Sequence, residues 1–196
     1  MIKSTLFSLF LLSVLITNAQ DTQLSGAKSI TTLNSLIGKS IVEVKTILLK
    51  YNLENKQVQK NDEDLKVDVY PFYRKGITEN EKRDEPQYYL GCKNNKVLFV
   101  TVSFETEEEE DAKKIISSLK TQSSKIGFNL EKDKSKSMIK KEGGFEFLKE
   151  VYWHKNYQTS LTSFLLNDDN STLILSLGEM KYVNAIFEIN KSDFGF

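Results

Sequence analysis

The chain has 196 residues, with 27 Lys and Arg against 27 Asp and Glu, one histidine and one cysteine. A formal charge of zero argues against nucleic acid or an anionic membrane surface as the main partner, since both reward a basic excess. One cysteine excludes an internal disulfide and one histidine excludes a multi-histidine metal site, so an apolar core must hold the fold.

Lys3 precedes an apolar run from Leu6 to Ile16, and Thr17 and Ala19 supply small residues before a cleavage point. This pattern predicts a secretory signal peptide over residues 1–19, too short for an integral membrane span. The expected product is a soluble periplasmic or secreted protein that begins near Gln20. The only cysteine is Cys92, far from the end of the apolar run, so no lipid anchor is expected.

Residues 21–36 are polar and weakly patterned, and read as an extended lead-in. Ser40-Ile41-Val42-Glu43 is a capping box, in which the serine oxygen and the glutamate carboxylate each satisfy a free amide of the first turn. Ile41, Val44, Ile47, Leu48 and Tyr51 then fall on one helical stripe, predicting a helix near 40–51. Leu65, Val67 and Val69 alternate with Lys66, Asp68 and Tyr70, which predicts a strand through Tyr73. Pro71 cannot donate to a ladder, so this strand is expected at an edge or bulged there. Arg74 to Glu85 reads as a charged connection. Gln87–Cys92 and Lys96–Glu105 form a predicted hairpin around Lys93-Asn94-Asn95. In its second strand Leu98, Val100, Val102 and Phe104 share one face, and Thr101 and Ser103 the other.

Thr106 and Glu109 make a second capping box. Ala112, Ile115, Ile116, Leu119 and Ile126 at helical spacing predict a helix near 107–126, with Gly127 as its left-handed stop. Phe128-Asn129-Leu130 echoes Tyr51-Asn52-Leu53 at the same point past a helix. A charged loop closed by Gly143-Gly144 leads to three predicted strands, Phe145–His154, Thr159–Leu166 and Thr172–Leu177. Lys181–Ile189 alternates Val183, Ala185, Phe187 and Ile189 and reads as a last strand, with a short helix as the alternative. The repeated order predicts an α+β fold of two αβββ units, 20–105 and 106–196, related by internal duplication, with helices packed on one face of antiparallel sheet.

Few residues suggest chemistry. No Gly-x-Ser-x-Gly, phosphate-binding glycine loop, dinucleotide fingerprint or His-Glu-x-x-His occurs, and neither a catalytic residue nor a cofactor or metal is expected. His154 follows Trp153 at a strand end, where a surface role is the simpler reading than a general base. Cys92 reads as a small structural residue. The acids Glu105, Glu107–Glu110 and Asp111 complement a helix dipole and lack the alternating oxygens and central glycine of a calcium loop. Asp62-Glu63-Asp64 and Asp168-Asp169 read as solvated turns. The lysines at 132, 134, 136, 140 and 141 form a basic loop, and Asn170 and Asn190 begin glycosylation sequons. If the apolar set of each strand faces the helices, Tyr70, Phe72, Tyr152 and His154 fall together on the other face. Aromatics there would make a low-entropy contact surface for a protein or cell-envelope partner.

Gly38-Lys39-Ser40-Ile41-Val42-Glu43-Val44 resembles the Gly-x-[Ser/Thr]-x-x-Glu-Val helix start of small outer-membrane-assembly lipoproteins and β-lactamase-inhibitor proteins, and of PASTA domains. The resemblance covers about fifteen residues and consists mainly of the capping box. The inhibitor proteins are tandem helix-plus-antiparallel-sheet repeats that bind through an aromatic-rich sheet face, so the resemblance implies binding rather than catalysis. The sequence departs from these families in lacking the inhibitors' disulfide cysteines, the lipoproteins' lipidation cysteine and the later Pro-Gly signals of PASTA domains. The expected function is therefore a non-enzymatic binding or inhibitor-like module. An extracytoplasmic hydrolase using His154, or a structural envelope protein, is the alternative.

Overall fold

The computed structural model describes residues 28–55, 58–78, 85–106, 109–130, 136–140, 145–154, 160–167 and 171–193. The predicted leader, the Gly143-Gly144 turn, the Asp168-Asp169 turn and the Asn170 sequon lie outside them. In chain order the elements are α1 (Ile30–Leu36), α2 (Ile41–Leu49), β1 (Leu53–Asn55), β2 (Asp68–Arg74), β3 (Gln87–Lys93), β4 (Lys96–Thr106), α3 (Glu109–Lys125), β5 (Phe128–Leu130), β6 (Lys136–Lys140), β7 (Phe145–His154), β8 (Ser160–Asn167), β9 (Ser171–Gly178) and α4 (Met180–Asp193). One antiparallel sheet runs β1-β2-β3-β4-β9-β8-β7-β5, with β6 also paired to β7. The fold is thus mixed helix and antiparallel sheet, the α+β class that the alternating elements predict.

Local chemistry explains several element ends. The β3–β4 hairpin turns through Asn94 and Asn95 at φ 51° and 63°, the left-handed pair that a two-residue turn requires and that asparagine tolerates. At α2 the Ser40 amide donates to Glu43 Oε2 at 3.0 Å, and the Glu43 amide donates to Ser40 Oγ at 3.3 Å. These bonds hold the Glu43 carboxyl below its usual range. The α1–α2 link is stitched to the hairpin by Gly38 N–H to the Val97 carbonyl (2.8 Å) and Val97 N–H to the Lys39 carbonyl (2.9 Å).

The sheet has two unlike faces. On the first, Phe72, Leu90, Val100, Val102, Leu175 and Leu177 pack with Ile30, Leu33 and Leu36 of α1, Val44 and Leu48 of α2, and Ile115 and Leu119 of α3. On the second, Val67, Val69 and Phe99 pack with Tyr182 and Ile186 of α4. Antiparallel partners share a face, so the register carries the first face across the sheet. One row runs Tyr70, Leu90, Val100, Leu177, Leu161, Tyr152.

Three expectations need correction. Residues 30–36 form a helix, not an extended lead-in. Ser29 caps it by accepting from the Thr32 amide, and Ile30, Leu33 and Leu36 are wholly buried at helical spacing. Lys181–Ile189 is helical rather than a last strand, because the buried set is Tyr182, Val183 and Ile186, and the Glu179 carbonyl accepts from the Tyr182 and Val183 amides to start the turn. Nor are helices confined to one face, since α4 covers part of the second. Pro71 lies inside β2, which is flanked by β3 and by the short outer strand. Its position falls between the Asn55–Phe72 pair and the isolated Gln59–Val69 bridge, where the outer ladder asks for no proline amide.

Candidate ligand-binding cleft

By backbone register the four aromatic and histidine positions expected to form a binding face do share a face, and at Tyr70 and Phe72 that face belongs to the core under α1–α3. Phe72 is 1% exposed and belongs to the main core, so it is a packing residue and no partner can reach it. The cause is register. Leu65 and Val67 precede β2, which begins at Asp68, and the Tyr70–Leu90 pairing puts the even-numbered residues of β2 on the helix side. Tyr70 is half-buried against the core, with Lys45 Nζ 5.3 Å and Lys60 Nζ 5.6 Å from its ring centroid. Lys60 is also bonded to Asp68 Oδ2 at 2.6 Å, which holds the Asp68 carboxyl below its ordinary range. In backbone register Tyr152 pairs with Leu130 and His154 with the wholly buried Phe128. Both therefore hold positions of the first face.

The second face carries a cleft. About 360 Å³ in volume, it lies between the sheet, the turn before β2 and α4. Leu65, Val69, Phe99, Ile174 and Ile186 supply its apolar walls, and Gln87, Tyr89, Thr101, Ser103, Asp62 and Asp64 its polar groups. The strand alternation that sends Val100 and Val102 to the core sends Thr101 and Ser103 here.

Phe99 organises one wall. Its register partners are Gly91 on β3 and Gly178 on β9, so no side chain flanks it on either side. A Cβ at Gly91 would lie 1.9 Å from Phe99 Cε1, which means the ring lies over that glycine. Gly178, at φ +146°, brings its backbone so close that a Cβ would meet the Leu98 carbonyl oxygen at 2.3 Å. The Phe99 ring then meets Tyr182 of α4, with centroids 5.6 Å apart at 37°. This tilted stack fixes α4 over the sheet.

The polar groups are ordered too. Tyr89 donates to Gln87 Oε1 at 2.6 Å, and burial, with Tyr73 nearby, pushes the Tyr89 hydroxyl above its usual value. Thr101 Oγ1 and Ser176 Oγ lie 3.0 Å apart, both buried. Asp62 Oδ1 accepts from the Asp64 and Leu65 amides (3.1 and 2.8 Å), and Oδ2 accepts from Gln59 Nε2 at 2.7 Å. That makes Asp62 the brace of a turn, as its sequence context suggests, rather than a metal ligand. Among the described residues no group of three or more His, Cys, Asp or Glu is placed to hold a metal ion. Cys92 is buried on the first face, and burial, with Asp68 nearby, pushes its thiol up to about 12, far from a reactive thiolate at neutral pH. No helix among the described residues is long and apolar enough to cross a membrane.

Sequence reasoning passed over this site. Its signals were Thr101 and Ser103 alternating with core valines, and two glycines placed in strands, where glycine marks a close approach.

No family model, curated protein or solved structure matches the chain.

Proposed function

We propose that the chain is an exported, non-enzymatic binding module that takes an apolar group into the second-face cleft. The observation that carries this reading is the cleft itself. It is a concave space of about 360 Å³ with apolar walls and a few placed hydroxyl, amide and carboxylate groups, the usual make-up of a small-ligand site. The group it takes belongs to a molecule of the cell envelope, in keeping with the leader-like order of Lys3, the apolar run and Ala19. A hydrolase built on His154 fits less well, because the His154–Phe128 pairing assigns that position to the face opposite the cleft.

The reading includes descent from a duplicated unit. In support, the sheet order is symmetric about the β4–β9 seam: α2 leads to β1-β2-β3-β4 and α3 leads to β5-β7-β8-β9. On each outer edge a three-residue strand pairs with the next long strand, β1 with β2 and β5 with β7. The Gln59–Val69 bridge stands where β6 stands in the second half.

The test is uptake of a neutral solvatochromic dye, Nile red, by the purified protein. Saturable blue-shifted fluorescence in the wild type, lost in Ser103→Trp with the fold intact by circular dichroism, is the expected result. Equal uptake by the two proteins, or none by either, would remove the cleft as a binding site.

A further inference from the structure

We infer that the cleft selects a small cationic amphiphile, an ammonium group on a compact apolar body, over the matching carboxylate. This rests on the cleft reading above and adds the polarity of its ligand.

The lining residues are ordered along the sheet. They run from the turn before β2 through β3 and β4 to Ile174 of β9, which is three strand spacings, or about 14 Å. Asp62 and Asp64 stand at the β2 end, while Ile174 is at the β9 end. No lysine or arginine is found among the described lining residues. The two acids have different tasks. Asp62 is engaged by three donors within its own turn, and this bracing holds Asp64 at the cleft mouth, where it is exposed to solvent.

The buried hydroxyls add a second constraint. Thr101 and Ser176 share one hydrogen bond, which uses one of their two O–H protons. Thr101, the member of the pair that lines the cleft, therefore offers neutral hydrogen-bonding capacity without a positive charge. A carboxylate carried into this lining would lose water without meeting a lysine or arginine among the described lining residues, and two acids would repel it. An ammonium group at the β2 end keeps part of its hydration, meets opposite charge and leaves its apolar body for Val69, Phe99 and Ile174.

The test uses one chain length with three heads: n-octylammonium chloride, 1-octanol and sodium octanoate, titrated calorimetrically into the purified protein at low ionic strength. The expected order is octylammonium, then octanol, then octanoate, with the two ions separated about tenfold, the sum of one exposed attraction and one repulsion. Asp64→Asn should bring octylammonium to the octanol level, and Ser103→Trp should abolish all three. Octanoate binding as tightly as octylammonium would overturn the inference and leave the cleft reading standing, as would an unchanged ratio in Asp64→Asn. If none of the three binds while Nile red does so in a Ser103-dependent way, the ligand class is wrong and the cleft reading survives. If Nile red fails as well, both fall.

Discussion

The two faces of the sheet solve different problems with the same strands. The first is closed by three helices, with Leu90, Val100 and Leu177 wholly buried and Phe72 packed among them. Among the described residues the second is covered by α4 and the turn before β2; a Phe99–Tyr182 stack whose Phe99 ring lies over Gly91 joins α4 to the sheet, and the cleft is lined by the same Phe99. A sheet that draws its stability from one face can leave room on the other. In this chain the spare room is next to hydroxyl and carboxylate groups, while the strong aromatics Tyr70 and Phe72 serve the closed side.

That asymmetry can be tested by mutation. Phe72→Ala should cost about 4 kcal/mol, as for a fully buried aromatic in a core that cannot collapse around the void. Ile186→Ala, whose neighbour is already open space, should cost about 2 kcal/mol. Urea midpoints decide, and equal losses would break the contrast between the faces. Gly178→Ala should fall between them, at about 3 kcal/mol, since the new methyl meets backbone that cannot move aside. Gly91→Ala should instead displace the Phe99 ring from Tyr182, visible as a change in near-ultraviolet circular dichroism with little change in the far ultraviolet.

Smaller effects sharpen the closed side. Ser40→Ala should cost about 1 kcal/mol through the lost α2 cap. Glu43 adds a pH signature, because its folded pKa is depressed below 4.5 by its bonds to Ser40. Its stabilisation is complete above the ordinary value and disappears as pH falls through the folded one. Thermal melts of the wild type should therefore lose stability below about pH 4.5 more steeply than melts of Ser40→Ala. The smallest effect belongs to Ser123. Its hydroxyl is buried in α3 without a hydrogen-bond partner, so Ser123→Ala should be neutral or stabilise by up to about 1 kcal/mol. A clear loss would mean that the hydroxyl has a partner.

How legible this was in the sequence depends on whether a signal is local. Both middle helices, the Asn94-Asn95 hairpin and the three late strands can be read from caps, turns and alternation, because each is set by neighbours within a few residues. The face of β2 could not be read that way. Its alternation fixes that Val69 and Phe72 point to opposite sides, but which side is core is decided by Tyr70 pairing with Leu90, across a connection that carries no register signal. The same limit concealed the cleft. Gly91 and Gly178 are ordinary in isolation and acquire meaning only when both are found beside Phe99. Residues 30–36 were readable through Ser29, Ile30, Leu33 and Leu36, but a seven-residue helix offers barely two turns of pattern. The last helix is ambiguous in sequence because Val183, Ala185 and Phe187 also alternate, and period 2 competes with period 3.6 over so short a run.

The seam between β4 and β9 also governs the order of events during synthesis. Phe99–Thr106 pairs with Ser171–Gly178, so an eight-residue ladder waits for a strand near the end of the chain. Until β9 emerges, the Val-rich strand β4 has an open hydrogen-bonding edge. A truncated product ending after α3 would keep that edge permanently and should self-associate. The central sheet therefore cannot close until β9 has been made, and its two halves meet only once that strand is present.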